Sequence, residues 1–151
     1  MKKIMIIVAC FALLSAKAIS NPVTDVNQKV LHSFQTTFTH ARNVQWFAFS
    51  DYYYVSFNQG NFAVRAYYDP RGNLINTMRY YSAQYLPINI TLRLEAEYPN
   101  QVIKNVTEVC NGDEAVYFVR IDGTKNWRIV KADGNGDLET QEVYDYPVGG
   151  E

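Results

Sequence analysis

The side chains best suited to catalysis are few and far apart. The chain has two histidines and two cysteines in 151 residues. His32 and His40 are eight residues apart. On a helix this spacing is a rise of about 12 Å, too far for one metal ion to bind both imidazoles. The motifs of zinc proteases, serine hydrolases and thiol-redox proteins do not occur in the sequence. We therefore expect no catalytic residue, no metal site, no cofactor and no enzymatic activity.

One segment has the acidic pattern of a calcium loop. Acidic and amide side chains alternate at Asp133, Asn135, Asp137 and Glu139. An EF-hand loop also needs glycine at its sixth position and glutamate at its twelfth, where this chain has Leu138 and Tyr144. Aspartate favours the start of a turn, and glycine tolerates a positive φ. The segment is therefore predicted to be a tight turn.

The aromatic residues are more informative, because 12 residues are tyrosine. Tyrosine and arginine combine a large contact area with a polar end, and they are frequent among the residues that dominate protein interfaces. Strand alternation predicts a partner-binding surface on the sheet face that points away from the helices. Its predicted residues are Tyr52, Tyr54, Arg65, Tyr67, Arg79 and Tyr81. The alternative role of these tyrosines is to cover the sheet, and a one-residue slip in register would turn them to the other face.

Two segments alternate between apolar and polar residues with a period of two, which is typical of antiparallel strands with one face on a core. The apolar positions are Tyr53, Val55 and Phe57 in one segment and Tyr117, Val119 and Ile121 in the other. Turn residues separate the segments at 58–61, 69–72, 122–123 and 133–136. The predicted strands are 43–49, 52–58, 62–68, 73–81, 101–110, 114–121, 127–132 and 137–144.

A helical period precedes each group of strands. The apolar stripes are Val26, Val30, Phe34 and Phe38 in the first helix and Ile90, Leu94 and Tyr98 in the second. The first helix has start signals at Asn21-Pro22 and at Thr24, and the second follows Leu86-Pro87 and ends before Pro99. Each helix has one apolar face and needs a sheet to cover it.

The two halves also match each other in order along the chain. Tyr53, Val55, Asp69, Gly72 and Leu74 are each followed, 64 residues later, by the same residue type at Tyr117, Val119, Asp133, Gly136 and Leu138. Ordered self-similarity at a fixed spacing is typical of a structural repeat. The predicted units are residues 21–84 and 85–151, joined in one compact domain.

Four segments carry a resemblance to a known family: 38–46 (FTHARNVQW), 68–74 (YDPRGNL), 86–99 and 133–138 (DGNGDL). On these segments the chain resembles the PepSY-like family, also described as resembling the beta-lactamase inhibitory protein. The resemblance implies an α+β fold: a tandem repeat of a helix followed by four antiparallel strands, with the helices on one face of a joint curved sheet. It also implies export and the binding of a protein or peptide, in the founding cases to restrain an enzyme. No catalytic residue and no specific inhibitory residue carries over.

The first twenty residues have the layout of a secretory signal peptide. Lys2 and Lys3 precede an apolar run from Ile4 to Leu14, and small residues follow. Cleavage after Ala18 or after Ser20 fits this layout equally. The run is shorter than the roughly 20 residues that span a bilayer, so we expect no membrane span. Cys10 matches a lipoprotein signal only loosely, because the apolar run continues beyond it. A soluble protein of the periplasm or the extracellular space is therefore favoured over a lipid-anchored one.

Removing the three lysines of this segment changes the net charge from −1 to −4. A chain without a basic excess is poorly suited to bind nucleic acid. Cys110 is then the last thiol, and we expect it to be buried as a small apolar residue. The predicted function is a non-enzymatic binding module that engages a protein or peptide partner through the open sheet face. The alternative is a glycan-binding envelope module that uses the same tyrosines. The partner and the oligomeric state are left open.

Overall fold

The structure is a computed structural model, and it describes residues 25–147. The elements are α1 (Gln28–Thr37), β1 (Arg42–Ala48), β2 (Tyr53–Gln59), β3 (Phe62–Tyr68), β4 (Leu74–Ser82), a 3-10 turn (Ala83–Tyr85), α2 (Ile88–Glu97), β5 (Val102–Asn111), β6 (Glu114–Asp122), β7 (Asn126–Asp133) and β8 (Leu138–Asp145). Each strand lies within one residue of its predicted limits. The predicted signal peptide, Cys10 and the start signals at residues 21–24 lie outside the described residues.

The eight strands form one continuous antiparallel sheet in the order β1 to β8. This finding corrects the predicted fold. The class is α+β, but the architecture is a single eight-stranded sheet with two helices, not a tandem repeat of helix-plus-four-strand units. The reason is the pairing of β4 with β5, where Thr77 is opposite Cys110 and Ser82 is opposite Asn105. Because this hydrogen-bonded ladder crosses the middle of the chain, the sheet as a whole is the unit of structure.

Both helices are short and each buries one apolar stripe. Val30 and Phe34 are the buried residues of α1, and Ile90 and Leu94 are those of α2. Helix α1 begins later than the sequence predicted, because the side chain of Asn27 caps it by accepting a hydrogen bond from the Lys29 backbone N–H at 2.9 Å. Among residues 25–147 there is no helix that is long and apolar enough to cross a membrane.

Two apolar clusters form the core, one beneath each helix. The first contains Val30, Phe34, Val55, Phe57, Val64, Ala66 and Tyr68, and the second contains Ile90, Leu94, Val106, Val119, Ile121, Val130 and Ala132. The strand register connects their sheet residues. Val55 is opposite Ala66, Ala66 is opposite Thr77, and Thr77 is opposite Cys110. Directly opposed residues share a face, so both clusters lie on one side of the sheet, here called the helix face.

The turn between β3 and β4 holds the start of α1. The Asp69 carboxylate accepts hydrogen bonds from the backbone N–H groups of Arg71 and Asn73, both at 2.9 Å. The Asn27 side chain donates to the Pro70 carbonyl at 3.2 Å, so the residue that caps α1 also binds this turn. In the second half, Asn89 of α2 donates to the Gly134 carbonyl at 3.1 Å. Each helix is therefore positioned by the turn between the last two strands of its half.

Tyr68 is expected to be replaceable by phenylalanine without loss of stability. Its ring is 0% exposed, and its hydroxyl is buried without a hydrogen-bond partner. Burial alone raises the pKa of this phenol to about 12. Because an unsatisfied buried hydroxyl costs free energy, Tyr68→Phe should stabilise the fold by about 1 kcal/mol. Chemical denaturation of the two proteins measures the difference, and a clear loss of stability in the variant would contradict this account.

Candidate functional site

The sheet face opposite the helices, here called the open face, carries a connected group of aromatic side chains. The register sets its membership: Tyr54 is opposite Phe47 on one side and Tyr67 on the other. Arg65 is the next outward position of β3, and it is opposite Ser56 and Met78. Among residues 25–147, both helices pack on the other face, so no helix covers these side chains.

We call this group the aromatic–arginine cluster; its members are Phe47, Phe49, Tyr52, Tyr54, Arg65, Tyr67 and Tyr80. The rings of Phe47 and Tyr54 stack with their centroids 4.4 Å apart, and those of Phe49 and Tyr52 stack at 4.6 Å. Tyr67 joins both pairs, at 5.6 Å from Tyr54 and 6.1 Å from Tyr52. Phe49 is 40% exposed. The rings therefore form one connected aromatic surface, and Phe49 at its edge is exposed to solvent.

Arg65 brings a positive charge into this aromatic group. Its guanidinium carbon lies 6.0 Å from the Tyr54 ring centroid and 5.5 Å from that of Tyr80. In the part of the chain that the structure describes, Arg65 forms no ion pair. Burial raises the pKa values of Tyr54 and Tyr67, and this effect exceeds the opposing influence of the Arg65 charge. Both phenols therefore stay protonated at neutral pH and can donate hydrogen bonds.

The structure brings four of the six predicted site residues together and separates the other two. Tyr52, Tyr54, Arg65 and Tyr67 belong to the aromatic–arginine cluster. Arg79 and Tyr81 lie on the helix face instead, because Arg79 is opposite the core residue Val64 and Tyr81 is opposite the core residue Val106. The outward positions of β4 are Asn76, Met78 and Tyr80. The prediction for β4 was therefore one residue out of phase, since this strand carries large side chains on both faces and alternation alone does not distinguish them.

Arg79 and Tyr81 contribute to a polar cluster in the middle of the helix face, between the two apolar clusters. Both donate hydrogen bonds to the Glu108 carboxylate, that of Tyr81 at 2.6 Å. The Cys110 thiol donates to the same carboxylate at 3.1 Å. Glu108 is 4% exposed, so this carboxylate is desolvated and depends on its three donors.

The pKa values in this polar cluster follow from burial and from the Glu108 charge. Burial would raise the pKa of Glu108, but the hydrogen bonds from Arg79, Tyr81 and Cys110 outweigh it and lower the pKa. Burial raises the pKa of the Cys110 thiol, and the hydrogen bond to Glu108 raises it further. Cys110 was expected to be buried, but it is only half-buried. Its high pKa keeps it in the unreactive thiol form.

The second half of the open face carries aromatic residues that were not among the predicted site residues. Trp127 and Tyr144 stack with centroids 4.1 Å apart, and the guanidinium of Arg120 lies 4.6 Å from the Trp127 ring centroid. Phe118 and Ile129 lie on the same face, opposite Lys131 and Arg120 respectively. A signal for Trp127 and Ile129 was available: β7 alternates without interruption and is apolar on both faces, with Val130 and Ala132 in the core. Strand β7 therefore has apolar side chains on both faces of the sheet.

The histidines and the acidic turn do not form a site in the described residues. His32 and His40 are both exposed. The Asp133 carboxylate accepts hydrogen bonds from the backbone N–H groups of Asn135 at 2.8 Å and Asp137 at 3.0 Å, so it organises the turn between β7 and β8. Backbone hydrogen bonds, led by the one from Asp137, lower the pKa of Asp133. Across residues 25–147, no three histidine, cysteine, aspartate or glutamate side chains are grouped as metal ligands.

The fold is similar to that of several solved proteins of Bacteroides. A BLIP-like protein from Bacteroides fragilis superposes with a TM-score of 0.67 at 15% identity, covering 85% of this chain and 92% of that chain. A DUF2874 family protein from Bacteroides ovatus gives a TM-score of 0.66 at 19% identity, covering 82% and 89%. A candidate periplasmic protein from Bacteroides eggerthii gives 0.64 at 15% identity, covering 80% and 89%.

These comparisons concern the fold. No family model matches the chain, and no curated protein matches it. The likeness to a BLIP-like protein supports the part of the predicted resemblance that concerns the beta-lactamase inhibitory protein. The PepSY-like part of the resemblance has no support among these neighbours. At 15% and 19% identity, the neighbours do not transfer a partner or an activity to this chain.

Proposed function

We propose that this chain is an exported, non-enzymatic binding module that engages a protein partner through the open face of its sheet. One observation carries the proposal: the aromatic–arginine cluster is a connected aromatic surface without a helix over it in the described residues. Exposed aromatic patches with arginine are typical of the centres of protein interfaces. Export is supported by the signal-peptide layout and by a periplasmic candidate among the structural neighbours.

The arrangement of the rings favours a protein partner over a glycan. A sugar needs an aromatic ring whose face is free for stacking. Here Phe47 stacks on Tyr54 at an interplanar angle of 16°, and Phe49 stacks on Tyr52 at 10°. Each ring of a stacked pair has one face covered by its partner, which leaves less free ring face for a sugar than two separate rings would offer. Edges and hydroxyl groups suit the mixed apolar and polar surface of a protein.

The open face continues as an apolar surface beyond the aromatic–arginine cluster. Met78 is opposite Val109, and Val109 is opposite Val116. These residues lie between the aromatic–arginine cluster and the stacked pair of Trp127 and Tyr144. These three side chains are half-buried and apolar. Charged residues lie toward β8, where Lys131 pairs with Glu139 at 3.5 Å. An apolar and aromatic centre with charged residues toward one side resembles the usual anatomy of a protein interface.

Photocrosslinking in the native cell envelope tests the proposal. A benzophenone amino acid at Phe49 should capture one discrete protein when the purified chain is added to envelope extract. With that protein then purified, the double variant Tyr54→Ala/Tyr67→Ala should bind it at least about 30-fold more weakly, because loss of interface hot spots costs about 2 kcal/mol or more. Isothermal titration calorimetry measures both affinities.

The matched control places the same crosslinker at Leu92, which lies on α2 and is 58% exposed. Capture of the same protein from Leu92 but not from Phe49 would place the interface elsewhere and contradict the proposal. Capture of polysaccharide at Phe49, without protein, would support the glycan-binding alternative instead. Circular dichroism and thermal melting of the double variant test whether the fold is retained.

A further inference from the structure

We infer that the aromatic–arginine cluster is a receptor for a carboxylate side chain, an aspartate or glutamate that the partner protein presents between apolar residues. This inference rests on the proposed function and specifies the chemistry of the partner. The observation that carries it is the position of Arg65, an exposed cation whose neighbours on the open face are neutral side chains, several of them aromatic.

Every neighbour of Arg65 on this face is uncharged. Its directly opposed residues are Ser56 on β2 and Met78 on β4. The adjacent outward positions on its own strand are Ala63 and Tyr67. Its diagonal neighbours are Tyr54, Asn58, Asn76 and Tyr80. A guanidinium in this setting has its aromatic contacts satisfied, while its capacity to donate paired hydrogen bonds to a carboxylate is unused within the described residues.

Two open-face cations in the second half of the chain contrast with Arg65. Arg120 donates to the Asp122 carboxylate at 2.7 Å, and Lys131 pairs with Glu139 at 3.5 Å. These two positive charges near β8 are therefore balanced by carboxylates of the same chain. Within the aromatic–arginine cluster, the cation that can pair with a partner carboxylate is Arg65, which forms no ion pair among the described residues.

The surrounding tyrosines add to the selectivity for a carboxylate flanked by apolar groups. The phenols of Tyr54 and Tyr67 remain protonated, so they can donate further hydrogen bonds to an anion. In the complex, the surrounding rings and the partner's apolar residues would exclude water from the ion pair, which strengthens it. Apolar residues on either side of the partner's carboxylate would then contact Phe47 and Phe49 across the aromatic surface.

Two matched tripeptides test the inference directly. The probes are acetyl-Phe-Asp-Phe-amide and acetyl-Phe-Asn-Phe-amide, which have nearly the same shape and differ in charge. Titration into the isotope-labelled chain, followed by NMR, should shift the open-face resonances, including the Arg65 side-chain N–H. The Asp peptide should bind about tenfold more tightly than the Asn peptide at low salt, because charge-assisted hydrogen bonds are about twice as strong as neutral ones. The difference should shrink at high salt.

Two arginine variants make the result specific. Arg65→Gln should bring the two affinities within about twofold of each other, since it removes the charge-assisted interaction. Arg71→Gln makes the same change of charge at an exposed turn residue, and it should leave the tenfold difference intact. Equal binding of both peptides to the wild-type chain would overturn the inference while leaving an aromatic protein-binding face in place. Failure of both peptides to shift any open-face resonance at millimolar concentration would also overturn it. The proposed function is judged separately, by the crosslinking experiment.

Discussion

Replacing Arg79 with methionine should lower the free energy of unfolding by about 3 kcal/mol at pH 7, because the substitution leaves a buried carboxylate without its cation. The side chain of Glu108 is 5% exposed, whereas that of Arg79 is 42% exposed. After the substitution, Glu108 keeps only the donors of Tyr81 and Cys110, both of them neutral. Methionine retains the packing of the aliphatic part of arginine, so the loss reports on charge. Urea denaturation measures it.

Substitution of the other partner, Glu108, is the matched control and should have a smaller effect on stability. Glu108→Gln leaves Arg79 uncompensated, but this partly exposed guanidinium can be solvated by water, so the expected cost is about 1 kcal/mol. The double variant should be more stable than Arg79→Met alone, since it contains no unpaired buried charge. Equal costs for the two single variants would show that burial of Glu108 does not govern the energetics of this pair.

The same pair predicts a pH dependence of opposite sign in the two proteins. In the wild type, the pKa of Glu108 is held below its ordinary value of 4.5. The carboxylate therefore contributes stability above this pH, and the contribution is lost as the pH falls through the lowered pKa. In Arg79→Met, burial dominates and the pKa of Glu108 should rise above the ordinary value. Protonation then favours the folded state. The stability gap between the two proteins should narrow as the pH is lowered from 7 toward about 5.

Replacing Gly72 with alanine should cost about 3 kcal/mol, because two effects act together. Its φ of +92° is a conformation that residues with a Cβ avoid. A Cβ at this position would also lie 2.8 Å from the backbone carbonyl oxygen of Lys29 in α1. A backbone atom cannot rotate away as a side chain can. The start of α1 would therefore be pushed off the turn that holds it. Denaturation and amide exchange at the start of α1 should both report this change.

Gly60→Ala is the control for backbone conformation alone. Gly60 has a φ of +59°, and an alanine methyl group at this position would have no neighbouring atom within 4 Å among the described residues. The expected cost is about 1 kcal/mol, the usual penalty for a left-handed alanine. Gly136→Ala should fall between the two, because its Cβ would meet the flexible side chain of Arg93 at 3.4 Å. Equal losses for Gly60→Ala and Gly72→Ala would show that the contact with Lys29 has no energetic role.

Local sequence patterns were sufficient to assign core residues in elements that have one apolar face and one polar face. Val55 and Phe57 on β2, and Val119 and Ile121 on β6, were assigned to the core from alternation, and all four are buried. The turns at Asp69 and Asp133 were also predictable, because aspartate followed by glycine encodes its own hydrogen bonds within a few residues. Such features depend on neighbours in the sequence, so they can be read without the fold.

Strand pairing between distant segments decided the remaining features. β4 and β7 have large side chains on both faces, so their hydrophobic pattern is compatible with either orientation. Pairing with the neighbouring strands decides between the two orientations. Because Arg79 is opposite Val64 and Tyr81 is opposite Val106, both side chains lie on the helix face. There they donate hydrogen bonds to Glu108. The same pairing joins the two halves into one eight-stranded sheet, so the helix-plus-four-strand repeat units suggested by the self-similarity are not the units of structure. Sequence alone thus determined the elements, their turns and the presence of a tyrosine–arginine surface. Tertiary structure determined which of those residues share that surface, because cross-strand register is a long-range property.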